Sequence, residues 1–328
     1  LNVALIAAAL GLSGRLDIPV MALAWGVLAA GVMQLLFQWP ALARLGLVPR
    51  PRWGWRHSGV RRVLKLMVPT LIGSSAAQVN LLIDSVIATF LVTGSVTWLY
   101  YSDRLLEFPL GVFGVALATV ILPNLSRKHA QQSAEAFSDT LDWALRLATL
   151  ITLPAAVGLA VLAQPIISTL FQYGQFQSDD VVMASLSLVA YAAGLPAFIA
   201  IKVLAPGYYA RQDTSTPVRF SLIAMGANVL LNLAFVGSLV KLGFEGPHAG
   251  LAAASAASGW LNATMLYRGL RRAGVYQPVP GWTQVALATV AGCAAMAALL
   301  LWFDPGLAAW SRAEAWARAL HLTMLIGA

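Results

Sequence analysis

Asp84, Asp103, Arg104 and Glu107, together with Asn228 and Asn232, are polar side chains set inside long apolar runs. A charge in hydrocarbon costs roughly 3 kcal/mol or more, so such groups face a protein interior or a wet cavity. In WLYYSDRLLEFPLGVFGVALATVILP (98–123), two acids and an arginine fall within five residues, followed by Pro109, Gly111 and Gly114. Arginine suits an anionic guest, because its planar fork grips phosphate in a bidentate way and keeps its charge. Asp84, Asn228 and Asn232 offer the opposite chemistry: carboxylate and amide oxygens are the ligands a small hard cation takes.

Spacing brings these groups together. With Gly94 as a hairpin tip, Asp84 lies ten residues before it and Arg104 ten after. At about 1.5 Å per residue both sit roughly 15 Å below the tip, near mid-bilayer. Asp103 and Glu107 share a helix face, with Arg104 turned about 100° away. Either Asp84 and Arg104 form an ion pair locking the hairpin, or Arg104 lines a cavity wall and grips an anion. Asn228 and Asn232 are also four apart on one face; they either bond across helices, for about 0.6 kcal/mol each, or ligate a cation with Asp84.

The elements that position these residues are membrane spans. Of 328 residues, 59% are hydrophobic and only 10% charged, with mean hydropathy +0.75, whereas a soluble domain carries about 25% charged residues. The apolar runs predict an all-α, polytopic transmembrane bundle of ten spans: 1–12, 18–39, 66–92, 96–123, 143–163, 181–204, 217–240, 249–270, 283–303 and one from near Trp310. The first and last are expected to be incomplete, making the chain a fragment, and 1–12 has no signal-peptide pattern. Pro69, Pro109, Pro154 and Pro196 fall in or beside spans, where freed carbonyls are tolerated facing protein or a wet cavity. The small residues of GLAAASAASG (250–259) suit close helix packing.

The net charge is +8. Arg15, Lys241, Arg312 and Arg318 are expected on one side and the other loop cations, including Arg146, Lys202 and Arg219, on the opposite side. The positive-inside rule makes that richer side cytoplasmic and FQYGQFQSDD external. The segment 44–65, with Trp53 and Trp55 among arginines, reads as a headgroup anchor attracting anionic lipid, not a nucleic-acid site. Cys293 stands alone, so no disulfide or thiolate site forms within the chain. His248 and His321 lack partners at metal spacing, and no nucleophile–base pair or phosphate loop is visible, which argues against an enzyme.

The run SVTWLYYSDRLLEFPLGVFGVALATVILPNLS closely resembles a segment of the MurJ (MviN) lipid II flippases, as do STLFQYGQF (168–176), KVLAPGYYARQDTSTPV (202–218) and QPVPGW (277–282). The resemblance implies a fourteen-helix, two-lobe fold within the same transporter superfamily as the multidrug extruders. This chain would supply the end of the first lobe (1–40), a basic interfacial loop (41–62), the six-helix second lobe (63–275) and two extra helices (276–328). It implies that Arg104, with Asp103 and Glu107 beside it, contacts the pyrophosphate of lipid II, the undecaprenyl-linked peptidoglycan precursor. It also implies that Asp84, Asn228, Asn232 and Ser255 ligate sodium as a coupling ion. Asn at 232 leaves a single carboxylate there. No other cofactor is implied; the partners are lipid II and membrane lipids, and the location is the bacterial cytoplasmic (inner) membrane. From Pro278 onward the chain would form the family's groove for the lipid tail. The alternatives are a flippase for another undecaprenyl-linked oligosaccharide, a drug/cation antiporter of the same fold, or a membrane enzyme acting on lipid-linked sugars. The last would need poised external acids, and 179–180 offers one Asp pair.

Overall fold

The computed structural model describes residues 2–18, 21–46 and 57–327, with the backbone alone at 62, 65, 66 and 68–77. Arg50, Arg52, Trp53, Trp55 and Arg56 of the expected interfacial loop lie outside the described residues, as do the side chains of Arg62 and Lys65. The described residues are helical with no strand. The helices are α1 (Asn2–Leu12), α2 (Met21–Arg44), α3 (Ser58–Thr89), α4 (Ser95–Pro109), α5 (Ala116–Ala130), α6 (Ala134–Val161) and α7 (Ala163–Phe171). They continue as α8 (Ser178–Ala192), α9 (Leu195–Tyr209), α10 (Ser215–Lys241), α11 (Ala249–Arg272), α12 (Trp282–Phe303), α13 (Leu307–Arg312) and α14 (Ala315–Gly327).

The chain divides into two compact units, Leu1–Val63 and Leu64–Ala328. In the first, α1 packs on α2 through small residues, with Ala8, Ala22, Gly26 and Ala30 buried. The second holds the candidate site. Among the described residues six helical stretches are long and apolar enough to cross a membrane: Met21–Arg44, Ser95–Ala130, Ala134–Val161, Ser178–Tyr209, Ser215–Lys241 and Trp282–Phe303. The 24-residue α11 is not among them. Its length suffices, but Ser255, Ser258 and Asn262 and a basic last turn lower its apolarity, and it is buried against α8, α9 and α10 instead.

Several expected spans are more broken than their sequences suggest. The run over 181–204 is two helices hinged at Gly194, and Pro196 falls in the first turn of α9. A Cβ on Gly194 would come 2.8 Å from the Ala256 backbone, so glycine lets this hinge press onto the small-residue stripe of α11. Residues 95–130 form one continuous helical rod, but Pro109 removes an amide donor and a π-helical segment follows at Leu110–Val115. Pro154 lies inside an unbroken α6, which begins at Ala134, earlier than expected, and is followed by the unforeseen short helix α7. Trp310 belongs to α13, and α14 starts only at Ala315. The turn before α4 is at Gly94, whose φ of 104° favours glycine.

Many of the cations expected in loops sit on helices, among them Arg146, Lys202 and Arg219. Arg146 of α6 pairs with Asp142, Nε to Oδ2 at 2.6 Å. Lys202 lies in α9 with its stem against Gly114, and Arg219 is in the first turns of α10. The C-terminal helices are fastened to α6 and α7 at both ends. At one end Asp142 Oδ1 accepts from Tyr276 Oη, Val279 N and Trp282 Nε1 at 2.8, 3.2 and 2.7 Å, while Arg146 Nη2 donates to Val279 and Pro280 carbonyls. At the other, buried Arg318 of α14 donates to the Ser168 carbonyl at 2.7 Å, satisfying the end of α7. Trp310, Leu322 and Leu325 pack there with Leu162 and Leu300.

Candidate functional site

Asp84 comes from α3, Asn228 and Asn232 from α10, and Ser255 and Ser258 from α11. The i, i+4 spacing of the two asparagines puts both on one face, as expected. Both are fully buried, and Asp84 is 7% exposed. Asp84 Oδ1 accepts from Asn232 Nδ2 at 2.6 Å and Oδ2 accepts from Ser255 Oγ at 3.1 Å. Asn232 Nδ2 also reaches Asn228 Oδ1 at 3.1 Å, and Asn228 Nδ2 faces Ser255 Oγ and Ser258 Oγ at 3.3 and 3.4 Å. Thus the structure joins Asp84, Asn228, Asn232 and Ser255 in one network, and Ser258 is a member the sequence reading missed.

The expected structural alternative, an Asp84–Arg104 ion pair, is not formed. Asp84 uses neutral donors, and Arg104 Nη1 bonds Glu107 Oε2 at 2.5 Å, one turn along α4. The Arg104 guanidinium also lies over the Tyr100 ring at 5.0 Å. The Arg104 and Glu107 side chains are about half exposed, at 48% and 53%. Asp103 departs from this pair and lines a cavity of about 420 Å³ with Asp84, Ser255 and Ser258. The acid–base run of α4 is therefore split: Asp103 borders the Asp84 network, while Arg104 and Glu107 stand together on another part of the helix.

Among the described residues no salt-bridge cation reaches Asp84, so this buried carboxylate has only neutral donors. Such a charge is costly unless a positive partner is supplied. Asn232 Oδ1, next to it, is buried with no hydrogen-bond partner. Turning that amide over would exchange its N–H for an oxygen beside Asp84, an arrangement favourable only around a cation. With that amide turned, two carboxylate oxygens, two amide oxygens and a hydroxyl would be the kind of donor set a small hard cation takes.

The other singled-out groups are in structural service. Asp180 Oδ2 accepts the Gln177 amide at the start of α8, and its Oδ1 accepts Trp98 Nε1 at 2.8 Å. His248 is fully buried outside the spans, packed on Trp98, with Nε2 3.0 Å from the Met183 carbonyl. Burial lowers its pKa, partly opposed by that carbonyl. His321 stacks on Trp310. Among the described residues no three His, Cys, Asp or Glu side chains cluster as metal ligands.

Residues 1–318 match the family described as Lipid II flippase MurJ. A probable lipid II flippase MurJ of Vibrio cholerae is 50% identical over the whole chain, which covers 61% of that relative. The lipid II flippase MurJ of Burkholderia cenocepacia is 42% identical over 92% of the chain and 58% of the relative. The chain thus spans about three-fifths of the length of these curated relatives. A solved structure titled lipid II flippase MurJ, inward closed conformation, superposes with a TM-score of 0.73 at 22% identity, over 99% of this chain and 63% of that one. An outward-facing multidrug-resistance MATE transporter of the MOP superfamily matches with a TM-score of 0.51 at 18% identity, over 74% and 54%. These two establish the fold, a helical membrane bundle; the family match over nearly the whole chain establishes that it belongs to the lipid II flippase MurJ family.

Proposed function

We propose that this chain carries the second lobe of a lipid II flippase. The whole protein would move the undecaprenyl-pyrophosphate-linked precursor from the inner to the outer leaflet of the bacterial cytoplasmic membrane by alternating access. The observation that carries this reading is α4, which sets the half-exposed Arg104 directly after Asp103, a lining residue of the cavity that Asp84 borders. Arg104 would take the pyrophosphate. Glu107 and Tyr100 hold its guanidinium in one orientation, so little freedom is lost when a phosphate oxygen replaces the Glu107 carboxylate.

Asp84, Asn228, Asn232 and Ser255 would hold a small hard cation, with sodium the candidate coupling ion. The ion would supply the positive charge that Asp84 lacks. Asp84 ties α3 to α10 and α11, and Asp103 brings α4 to the same cavity wall. The π-helical segment after Pro109 interrupts the regular ladder, so the half of the rod bearing Arg104 can turn without carrying α5 rigidly with it.

The test is complementation of a depletion strain by the full-length flippase. Arg104→Ala is expected to fail and Arg104→Lys, which keeps the charge but loses the fork, to support weaker growth. Normal growth on Arg104→Ala at wild-type protein levels would remove the substrate role.

A further inference from the structure

The polar lining does not stop at Asp84. One rung between α10 and α11 joins Asn228 to Ser255. Seven residues along each antiparallel helix, Asn262 Nδ2 donates to Ser221 Oγ at 3.4 Å in a second rung. Equal offsets at about 1.5 Å per residue separate the rungs by roughly 10 Å. The displacement runs toward the ends bearing Arg271 and Arg272 on α11 and Arg219 on α10, which is the basic face. Asn80, one turn from Asp84 toward that same face, shares the cavity wall with Ser221 and Asn262. Asn80 and Asn262 each keep a buried amide oxygen with no hydrogen-bond partner among the described residues, and Asn262 is only 9% exposed. An orphaned buried acceptor costs about 1–3 kcal/mol, so two along one cavity call for a ligand.

We infer that Asn80, Ser221 and Asn262 form a second cation station on a route between the Asp84 cluster and the basic face. The inference rests on the cation reading of Asp84 above. Amide and hydroxyl oxygens without a carboxylate hold a partly hydrated alkali cation weakly, which suits a waypoint: an ion must be able to leave it. Asp84 supplies the charge that retains the ion at the end of the route. Leu110, Phe198 and Ile201 wall the cavity with apolar surface, leaving the polar stations to set the path.

A route residue and a site residue differ in what they change. Blocking a path slows entry and exit equally and leaves the equilibrium where it was; removing a ligand moves the equilibrium. The full-length flippase in nanodiscs, mixed with sodium chloride in a stopped-flow instrument and followed by tryptophan fluorescence, separates the two. The double variant Asn262→Leu with Ser221→Val is expected to slow the sodium response about tenfold, equivalent to ~1.4 kcal/mol on the barrier. Its half-saturating sodium concentration should stay near wild type. Asn262→Ser, which restores a polar oxygen, should regain most of the rate, and Asn262→Ala gives a milder block should the double variant fail to fold. An unchanged rate in the blocked variants, with or without a moved midpoint, overturns the route and leaves the Asp84 site standing. A full sodium response in Asp84→Asn overturns the cation reading itself, and the route with it.

Discussion

Asp84 and Asp142 are both buried carboxylates on long helices, 7% and 3% exposed, yet their surroundings are opposite. Asp142 is saturated: one oxygen takes three donors from residues 276–282, and the other faces Arg146 at 2.6 Å. Ser138 and Gln277 add a reciprocal pair of bonds at 3.0 and 2.9 Å. Asp84 has two neutral donors and no cation among the described residues, and the amide oxygen of its partner Asn232 is orphaned. A carboxylate whose charge and lone pairs are met by its own chain is a fastener. One left short of positive charge, beside a cavity, leaves room for the cation proposed above.

Substitutions at the two carboxylates should behave differently. The largest stability effect is expected at the fastener: Asp142→Ala strands Arg146 and three donors and should cost on the order of 3 kcal/mol, read by denaturant titration of the purified full-length protein. A loss under 1 kcal/mol would mean that the 276–282 segment holds without it. A smaller change sharpens the same side. Trp282→Phe removes one donor to Asp142 but keeps the ring 5.4 Å from the Arg146 guanidinium, and should cost about 1 kcal/mol.

A third carboxylate, Asp213, lies in the loop before α10. Its Oδ1 accepts the Thr216 amide at 3.0 Å and Ser215 Oγ at 3.1 Å. Burial pushes its pKa up, but the bonds from Thr216 and Ser215 and the charge of Arg211 outweigh that and leave it below the ordinary carboxylate value. A lowered pKa contributes stability above the unfolded value, near 4, and that contribution is lost as pH falls through the folded value. Asp213→Ala should therefore cost about 1 kcal/mol at neutral pH, as loss of a helix-start acceptor does. The difference from wild type should shrink below pH 4; a constant difference would assign the effect to packing.

What the sequence disclosed follows from what is periodic. Asn228 and Asn232 share a face because they are four apart, and Asp84 stands out as a charge in an apolar run, so three of the five network members were legible in the sequence. Ser255 came only through family resemblance. Ser258 and Asn262 were legible in principle, three and seven residues from Ser255 on one face of α11, but they are hidden in a helix that reads as small-residue packing. The depth count about Gly94 put Asp84 and Arg104 at one level, yet it could not say that Arg104 turns to Glu107. The Asp142 fastener was least legible. Asp142 and Arg146 are an ordinary i, i+4 pair, and their partners lie more than 130 residues away in a segment without regular structure. The hinge at Gly194 was lost for a related reason: continuous hydropathy hides a break whose cause is close approach to α11.

If Asp84 takes a cation and Asp142 does not, sodium should tell the two carboxylates apart. Sodium-dependent thermal unfolding of the full-length flippase tests it in three proteins: wild type, Asp84→Asn and Asp142→Asn. Sodium should raise the midpoint of wild type and of Asp142→Asn by similar amounts, although the latter starts lower, and should leave Asp84→Asn unmoved. Equal sodium shifts in wild type and Asp84→Asn would contradict the account.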